Sequence, residues 1–145
     1  MNIWFVHCIS STMLVCLIWL IQLLHYPFFK FIDVSQSSKA FEFHQRSISF
    51  IVIPLMLIEL FTGFFLTLYF WNSFAKLLSI NLGVILLIWI QTFTVMVPLH
   101  MKLMTKYDLN TVNSLIKQNW FRTILWTLKG IFWIFLINHI IPYSF

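Results

Sequence analysis

Residues 77–99 read LLSINLGVILLIWIQTFTVMVPL, a run of 23 residues without a charged side chain. The run lies between Lys76 and His100. A bilayer hydrocarbon core is about 30 Å thick and is crossed by about 20 helical residues. The stretch is therefore long enough and apolar enough to be a membrane-spanning helix.

Three further stretches have the same character, and together the four predicted spans are residues 3–24, 50–70, 77–99 and 123–141. The second contains one charged residue, Glu59, and the fourth contains one, Lys129. Helices are required because backbone groups in lipid have no water to bond, and the ten-residue alternation of a membrane barrel is absent from the sequence. We predict an all-α protein, a single domain of residues 1–145 folded as an antiparallel bundle of four transmembrane helices.

The composition of the chain excludes several other classes of protein. Hydrophobic residues make up 61% of the 145 residues and charged residues only 9%, whereas soluble domains carry about 25% charged residues. Disorder needs low hydrophobicity, and a disulfide scaffold needs many cysteines. Cys8 and Cys16 lie too far apart on one helix for a disulfide within it, and we expect both to be packing residues. The first stretch lacks a basic leader and a cleavage site, so we expect it to remain as a span.

The basic residues predict how the bundle is oriented. Seven of the nine flank the connections between spans one and two and between spans three and four: Lys30, Lys39, Arg46, Lys102, Lys106, Lys117 and Arg122. The positive-inside rule then places these connections in the cytoplasm and both termini outside it. We expect a multi-pass protein of the inner (cytoplasmic) membrane, with anionic lipids rather than nucleic acid as partners. The sequence leaves the oligomeric state open.

The two long connections should contain helix starts. Ser38, followed by Glu42, resembles an N-cap, so the second helix is predicted to begin near Lys39. Asp108 precedes apolar residues at helical spacing and is predicted to cap a helix that leads into span four.

Polar residues gather at the predicted cytoplasmic ends of the spans. Antiparallel threading brings together His25, His44, Arg46, His100, Asn119 and Arg122. On span one, His7, Ser11, Ile18, Gln22 and His25 share one helical stripe, which should face the bundle interior. Gln91 and His100 are nine residues apart, half a turn out of phase on an ideal helix unless Pro98 bends the helix.

Glu59 and Lys129 are ionisable residues within predicted spans. A lone carboxylate there costs about 2.5 kcal/mol or more, so Glu59 should be protonated, paired or in a wet cavity. Lys129 lies about 10 Å along its helix from Arg122, and Glu59 about 20 Å along its helix from Arg46. Glu59 and Lys129 then lie at the same depth in the bilayer if the second helix begins outside the bilayer. The pair would either fix helix register or contribute a functional carboxylate.

Three interpretations of the histidines stay open. They can anchor the bundle at the membrane interface, ligate a metal or haem, or line a pocket for a substrate without a metal. No histidine pair has the i, i+3 or i, i+4 spacing of a local metal motif. We therefore predict no metal site and name no cofactor.

Short motifs in the second half of the chain resemble a known family. They are Val-Pro-Leu-His-Met-Lys-Leu at 97–103 and Asn-Trp-Phe-Arg-Thr at 119–123, and His-Tyr-Pro at 25–27 looks similar to the end of the first helix in the same group. The resemblance is to the anthrone-oxygenase-like family of small four-helix membrane proteins. In that family an Asn commonly lies two residues after the Val-Pro pair, where this chain has His100. The resemblance implies oxidation of an aromatic, polyketide-like substrate.

The sequence thus favours a membrane protein with a polar pocket at its cytoplasmic side, binding a small lipophilic or aromatic molecule. In an oxygenase-like enzyme, the catalytic residues are predicted to be Glu59, His44 and His100, with Glu59 or a histidine accepting the proton. Substrate-binding roles are predicted for His25, Arg46, Asn119, Arg122 and Lys129, with Arg122 and Asn119 holding a developing oxyanion. The alternative is a non-enzymatic binding or assembly subunit, in which the same residues fix helix packing.

Overall fold

The computed structural model describes residues 2–140, apart from the side chains of residues 72, 73 and 137–140. Within this part of the chain the structure is helical and contains no strand. The α-helices are α1 (Ile3–Leu20), α2 (Tyr26–Phe28), α3 (Ser37–Tyr69), α4 (Trp71–Gln91), α5 (Val97–Thr105) and α6 (Leu109–Ile140). They form four longer segments: the first Ile3–Phe31, the second Val34–Tyr69, the third Phe74–Thr105 and the fourth Leu109–Ile140.

The four segments pack antiparallel around a common interior. α1 and α4 each contact both α3 and α6. Three side-chain contacts show the register of the first two segments: His7 with Thr62, Ser11 with Glu59, and His25 with His44. Since residue numbers fall along the second segment as they rise along the first, the two run in opposite directions.

Three of the segments are long enough and apolar enough to cross a membrane: Ile3–Phe31, Val34–Tyr69 and Phe74–Thr105. They contain the predicted spans 3–24 and 77–99, and all of the predicted span 50–70 except residue 70. The fourth segment is not among the three, and its first half carries the polar residues Lys117, Asn119 and Arg122. Residue 141, the end of the fourth predicted span, lies outside the described residues.

The distribution of side chains suits an apolar surrounding. Large hydrophobic residues point outward, including Phe50, 85% exposed, and Tyr69, 81% exposed. Polar and charged residues are buried instead, among them Glu59, Lys129, Asn119 and Arg122. A helix bundle with an apolar exterior and polar residues inside is typical of membrane proteins. The predicted inward stripe of span one is confirmed, since His7, Ser11, Ile18 and Gln22 are buried and His25 is half-buried.

The connections correct one prediction and confirm another. Ser38 does not cap the second helix: its hydroxyl donates to the Met104 carbonyl oxygen at 2.7 Å, and α3 already begins at Ser37. Asp33 instead accepts from the Ser35 amide at 2.8 Å and starts a 3-10 turn before α3. The predicted Asp108 cap is confirmed, because its carboxylate accepts from the backbone amides of Asn110 and Thr111.

Candidate functional site

Three histidines from three segments meet at one end of the bundle, which we call the histidine end. His25 Nε2 lies 2.6 Å from His44 Nδ1, and the ring centroids of His44 and His100 are 5.3 Å apart. The Tyr26 hydroxyl lies 3.0 Å from His100 Nε2. His44, His100 and Tyr26 are buried, whereas His25 is half-buried. The structure thus brings these histidines together, as antiparallel threading predicts.

Two π-helical turns orient the side chains of this end. They are Ile21–His25 in the first segment and Thr92–Met96 in the third. A π-turn inserts one extra residue into a helix and rotates everything that follows it, and such turns are frequent at functional sites. Pro27 and Pro98 follow the two turns at matching positions, where each falls in the first turn of the next α-helix and needs no backbone donor.

The second π-turn explains the position of Gln91 relative to His100. Ideal helical spacing places the two residues on opposite faces, yet both are buried. The extra residue between them brings both onto the interior side, so a π-turn and not a proline bend alone accounts for the change. Gln91 Nε2 donates to the Gln118 carbonyl oxygen at 3.2 Å, which ties the third segment to the fourth.

An amide and guanidinium network lies deeper in the bundle than the histidines. Asn119 Nδ2 donates to Gln22 Oε1 at 2.8 Å, and Gln22 Nε2 donates to the Ile116 carbonyl oxygen at 3.3 Å. Arg122 donates from one terminal nitrogen to Asn119 Oδ1 at 3.4 Å, and its guanidinium lies 5.0 Å from the centroid of the Trp126 ring. Arg122 and Asn119 are buried. The guanidinium is therefore held in place by neutral groups.

A pocket of about 90 Å³ lies between the second and third segments. Its outer residues include Ile53 and Phe93, 44% and 53% exposed on the apolar surface of the bundle. Its inner residues are Tyr26, His100 and Arg122, all buried. The pocket is therefore apolar where it faces outward and polar where it reaches the interior, as sites for lipophilic molecules commonly are.

Three polar atoms on residues that line this pocket have no hydrogen-bond partner. They are Trp89 Nε1, His100 Nδ1 and Arg122 Nε, and each is buried. The indole and guanidinium nitrogens can only donate. A buried donor without a partner is destabilising, and most such groups in proteins are satisfied. Unsatisfied nitrogens on three residues that line one cavity are what a site for a ligand with acceptor oxygens would provide.

Several predicted site residues do not line this pocket. Arg46 is exposed and lies outside it. Three others contact the pocket residues without lining the pocket. His44 packs against His100, and His25 in turn contacts His44. Asn119 accepts a hydrogen bond from Arg122. Of the eight predicted site residues, His100 and Arg122 line the pocket itself.

Glu59 and Lys129 form a buried ion pair in the middle of the bundle. Ser11 Oγ donates to Glu59 Oε1 at 3.0 Å, and Trp126 Nε1 donates to Glu59 Oε2 at 3.2 Å. Lys129 Nζ also donates to Ser11 Oγ at 3.1 Å. We call these four residues the central cluster. Every side-chain nitrogen and oxygen atom in it has a partner, and each of the four residues is buried.

A third polar group lies toward the other end of the bundle, where the chain reverses between Tyr69 and Phe74. His7 Nδ1 lies 2.7 Å from the Thr62 hydroxyl, and Trp133 Nε1 donates to Asn81 Oδ1 at 3.1 Å. His7 Nε2 and Asn81 Nδ2 have no partner. Gly63 permits this close packing, because a Cβ there would lie 2.9 Å from Ile85 Cδ1.

Two residues that line the pocket, Tyr26 and Trp89, were not predicted from the sequence as site residues. Tyr26 lies four residues after Gln22, at the edge of the polar stripe by ideal helical spacing, and is buried after the first π-turn. Trp89 looks like an ordinary apolar residue of a span. The signals for Tyr26 are its spacing from Gln22 and its position before Pro27, within the His-Tyr-Pro motif.

Within residues 2–140 as described, no group of three or more His, Cys, Asp or Glu side chains has an arrangement that could hold a metal ion. The absence of a metal site remains a prediction.

Comparisons of the chain with protein family models, curated proteins and solved structures found no match. The resemblance to the anthrone-oxygenase-like family therefore also remains a prediction.

Proposed function

We propose that the chain is a four-span antiparallel bundle of the cytoplasmic membrane with both termini outside the cytoplasm. Three apolar segments and the apolar exterior support a multi-pass membrane protein. The fourth span is supported by α6, whose described residues from Thr123 onward carry one charged side chain, Lys129, and that charge is paired. The seven basic residues beside the two long connections support the orientation.

Reporter fusions test this topology. A C-terminal fusion to a phosphatase that is active only outside the cytoplasm should be active, and a C-terminal green fluorescent protein should be dark if export is through the general secretory route. The opposite pair of results would contradict the orientation. Fusions after Lys39 and after Lys106 provide matched controls, since both positions should behave as cytoplasmic.

We propose that the pocket between the second and third segments binds a small lipophilic molecule through a polar head group. The observation that carries this proposal is that Trp89, His100 and Arg122 line one cavity and each has a buried nitrogen without a partner. A pocket of about 90 Å³ accommodates a head group, while the apolar remainder of the molecule would extend along the outward-facing residues between the two segments.

A substitution that fills the pocket tests this function. Val52 lines the pocket, so Val52→Trp should block it, whereas Leu57→Trp changes an outward-facing residue of the same helix that does not line it. Thermal unfolding of the detergent-purified chain is measured with and without decylubiquinone, hexadecanol or palmitic acid. At least one probe should stabilise the wild type and the Leu57 variant but not the Val52 variant. Failure of every probe would contradict the proposal.

A second candidate function is an oxygenase-like enzyme acting at the same pocket, with dioxygen as the oxidant. The favouring observation is that His100, a base, and Arg122, a cation suited to an oxyanion, line the cavity together. Dioxygen consumption by the purified protein in the presence of a stabilising probe tests this candidate, with His100→Gln as the inactive control.

The alternative of a binding or assembly subunit is favoured by the central cluster. Its atoms are fully partnered, as expected for residues that fix the register of packed helices. This alternative accounts for Glu59 and Lys129, but it leaves the unpartnered nitrogens of the pocket without a role.

A further inference from the structure

Arg122 is a buried cation that has no acidic side chain as counter-ion among the residues that the structure describes. It is 5% exposed, and its contacts are the Asn119 amide oxygen, the Tyr26 hydroxyl and the Trp126 ring, all neutral groups. Amide dipoles and an aromatic face offset part of a positive charge but do not neutralise it. A buried charge that is not paired is strongly unfavourable, so this arrangement calls for an anion.

All four acidic residues of the sequence can be accounted for, and none pairs with Arg122. Glu59 pairs with Lys129. Asp33 and Asp108 accept from backbone amides at the starts of their own helices, and Glu42 is exposed. No acidic side chain of the protein therefore supplies the negative charge that Arg122 needs, and a bound anion would supply it.

We propose that this charge is the carboxylate of a lipophilic acid, such as a long-chain fatty acid, that enters the pocket from the bilayer. This inference rests on the proposed function, because it names the head group of the molecule bound there. The carboxylate would accept from Arg122 Nε, and Trp89 Nε1 and His100 supply further nitrogens around the same cavity.

The charge and shape of the pocket favour a carboxylate over the head groups of other lipids. Among the described residues that line the pocket, Arg122 is the one Arg or Lys, so a single negative charge matches it and a phosphate monoester with up to two charges exceeds it. A guanidinium presents two nitrogens in a planar fork that suits the two oxygens of a carboxylate. A neutral carbonyl or hydroxyl would satisfy the donors but would leave the charge uncompensated.

The route of entry follows from the residues around the mouth. Ile53 and Phe93 are exposed on the apolar exterior, and Ile48, Val52 and Val97 continue the lining inward. A single acyl chain can lie along these side chains while its carboxylate reaches Arg122. A free carboxylic acid partitions into the bilayer and can approach laterally, between the second and third segments.

The test compares probes that share a chain and differ in head group. Binding of palmitic acid, hexadecanol and hexadecyl phosphate to the purified full-length chain in a nonionic detergent is measured by titration, with thermal unfolding as a second readout. Palmitic acid should bind at least about 10-fold more tightly than hexadecanol, and Arg122→Gln should weaken palmitic acid by about 10-fold or more while leaving hexadecanol unchanged. Arg46→Gln removes an exposed arginine outside the pocket and should change neither.

The outcomes separate this inference from the proposed function. Equal binding of hexadecanol and palmitic acid, blocked by Val52→Trp, would keep the lipophilic pocket and overturn the carboxylate. Binding of none of the probes, together with no binding of decylubiquinone, would overturn both. Three further results would also overturn the carboxylate: tighter binding of hexadecyl phosphate than of palmitic acid, stabilisation by chloride alone equal to that by palmitic acid, or an equal loss of palmitic acid binding in Arg46→Gln.

If Arg122→Gln does not fold, the Trp89→Phe variant decides. It removes one donor and should weaken the binding of palmitic acid about 5-fold, and unchanged binding would count against the inference.

Discussion

The central cluster and the pocket at the histidine end are both buried and polar, but they differ in how completely their atoms are partnered. In the central cluster, Glu59 and Lys129 neutralise each other, and Ser11 and Trp126 fill the remaining positions. Around the pocket, Arg122 has no opposite charge and three nitrogens have no partner. Complete partnering in the central cluster supports a structural role, whereas unpartnered atoms on residues that line a cavity point to a ligand.

The largest effect should come from breaking the central ion pair. Glu59→Gln or Lys129→Met alone should lower the free energy of unfolding by about 3–5 kcal/mol, because each leaves an uncompensated buried charge, whereas the double variant should lose much less. A double-mutant cycle in detergent, followed by thermal or chemical unfolding, measures the coupling. Additive losses would show that the two residues do not depend on each other.

A smaller effect is expected from overfilling the closely packed half that contains His7. In Gly63→Ala, the new Cβ would lie 2.9 Å from Ile85 Cδ1 and 3.2 Å from His7 Cε1, so unfolding should become easier by about 1–3 kcal/mol. Gly83→Ala is the matched control, because its Cβ would meet nothing within 4 Å and alanine favours helix. The Gly83 variant should be as stable as the wild type or more so, and equal losses in both would contradict the packing argument.

Removing Arg122 should have a smaller effect still on the protein without ligand. Arg122→Met deletes an uncompensated buried charge and removes one partner each from the Asn119 oxygen and the Tyr26 hydroxyl, which keeps His100 as a partner. The loss should therefore be at most about 1 kcal/mol. Lys129→Met is the comparison, measured in the same detergent. A loss in Arg122→Met as large as in Lys129→Met would mean that the guanidinium is already neutralised within the bundle and would end the contrast between the two regions.

The smallest effect should lie at the start of α6, away from both regions. Hydrogen bonding to Thr111 holds the pKa of Asp108 below its ordinary value. The ionised carboxylate therefore stabilises the fold above the pKa of the unfolded chain, and this contribution is lost as the pH falls through the lower folded pKa. Melting temperatures of wild type and Asp108→Asn should differ slightly at pH 7 and converge as the pH falls through the folded pKa of Asp108. A difference that stays constant with pH would contradict the charge effect.

The sequence predicts the main geometric relations that depend on regular helices. Counting 1.5 Å per residue along two helices places Glu59 and Lys129 at compatible depths, and the structure pairs them. The Asp108 cap also follows from local chemistry, because an N-cap depends on residues within one turn.

The relations that the sequence does not predict depend on departures from the regular helix or on tertiary contacts. The π-turn at Thr92–Met96 brings Gln91 and His100 to one side, and no residue in that turn signals it. Ser38 has the composition of a cap, but its hydroxyl is taken by the Met104 carbonyl oxygen from a distant part of the chain. Trp89 belongs to the pocket only because neighbouring segments leave a space beside it.

The two π-turns also affect how this chain can change by insertion and deletion. Deleting one residue from Thr92–Met96 would convert the turn to ordinary α-helix and rotate α5 by about 100° relative to α4 without unfolding either helix. His100 would then point to another side of the bundle, while Asn81 and Ile85 would keep their places. Inserting or deleting one residue here therefore rotates α5 relative to α4. The side chains at the histidine end can change direction in this way while the rest of the bundle keeps its packing.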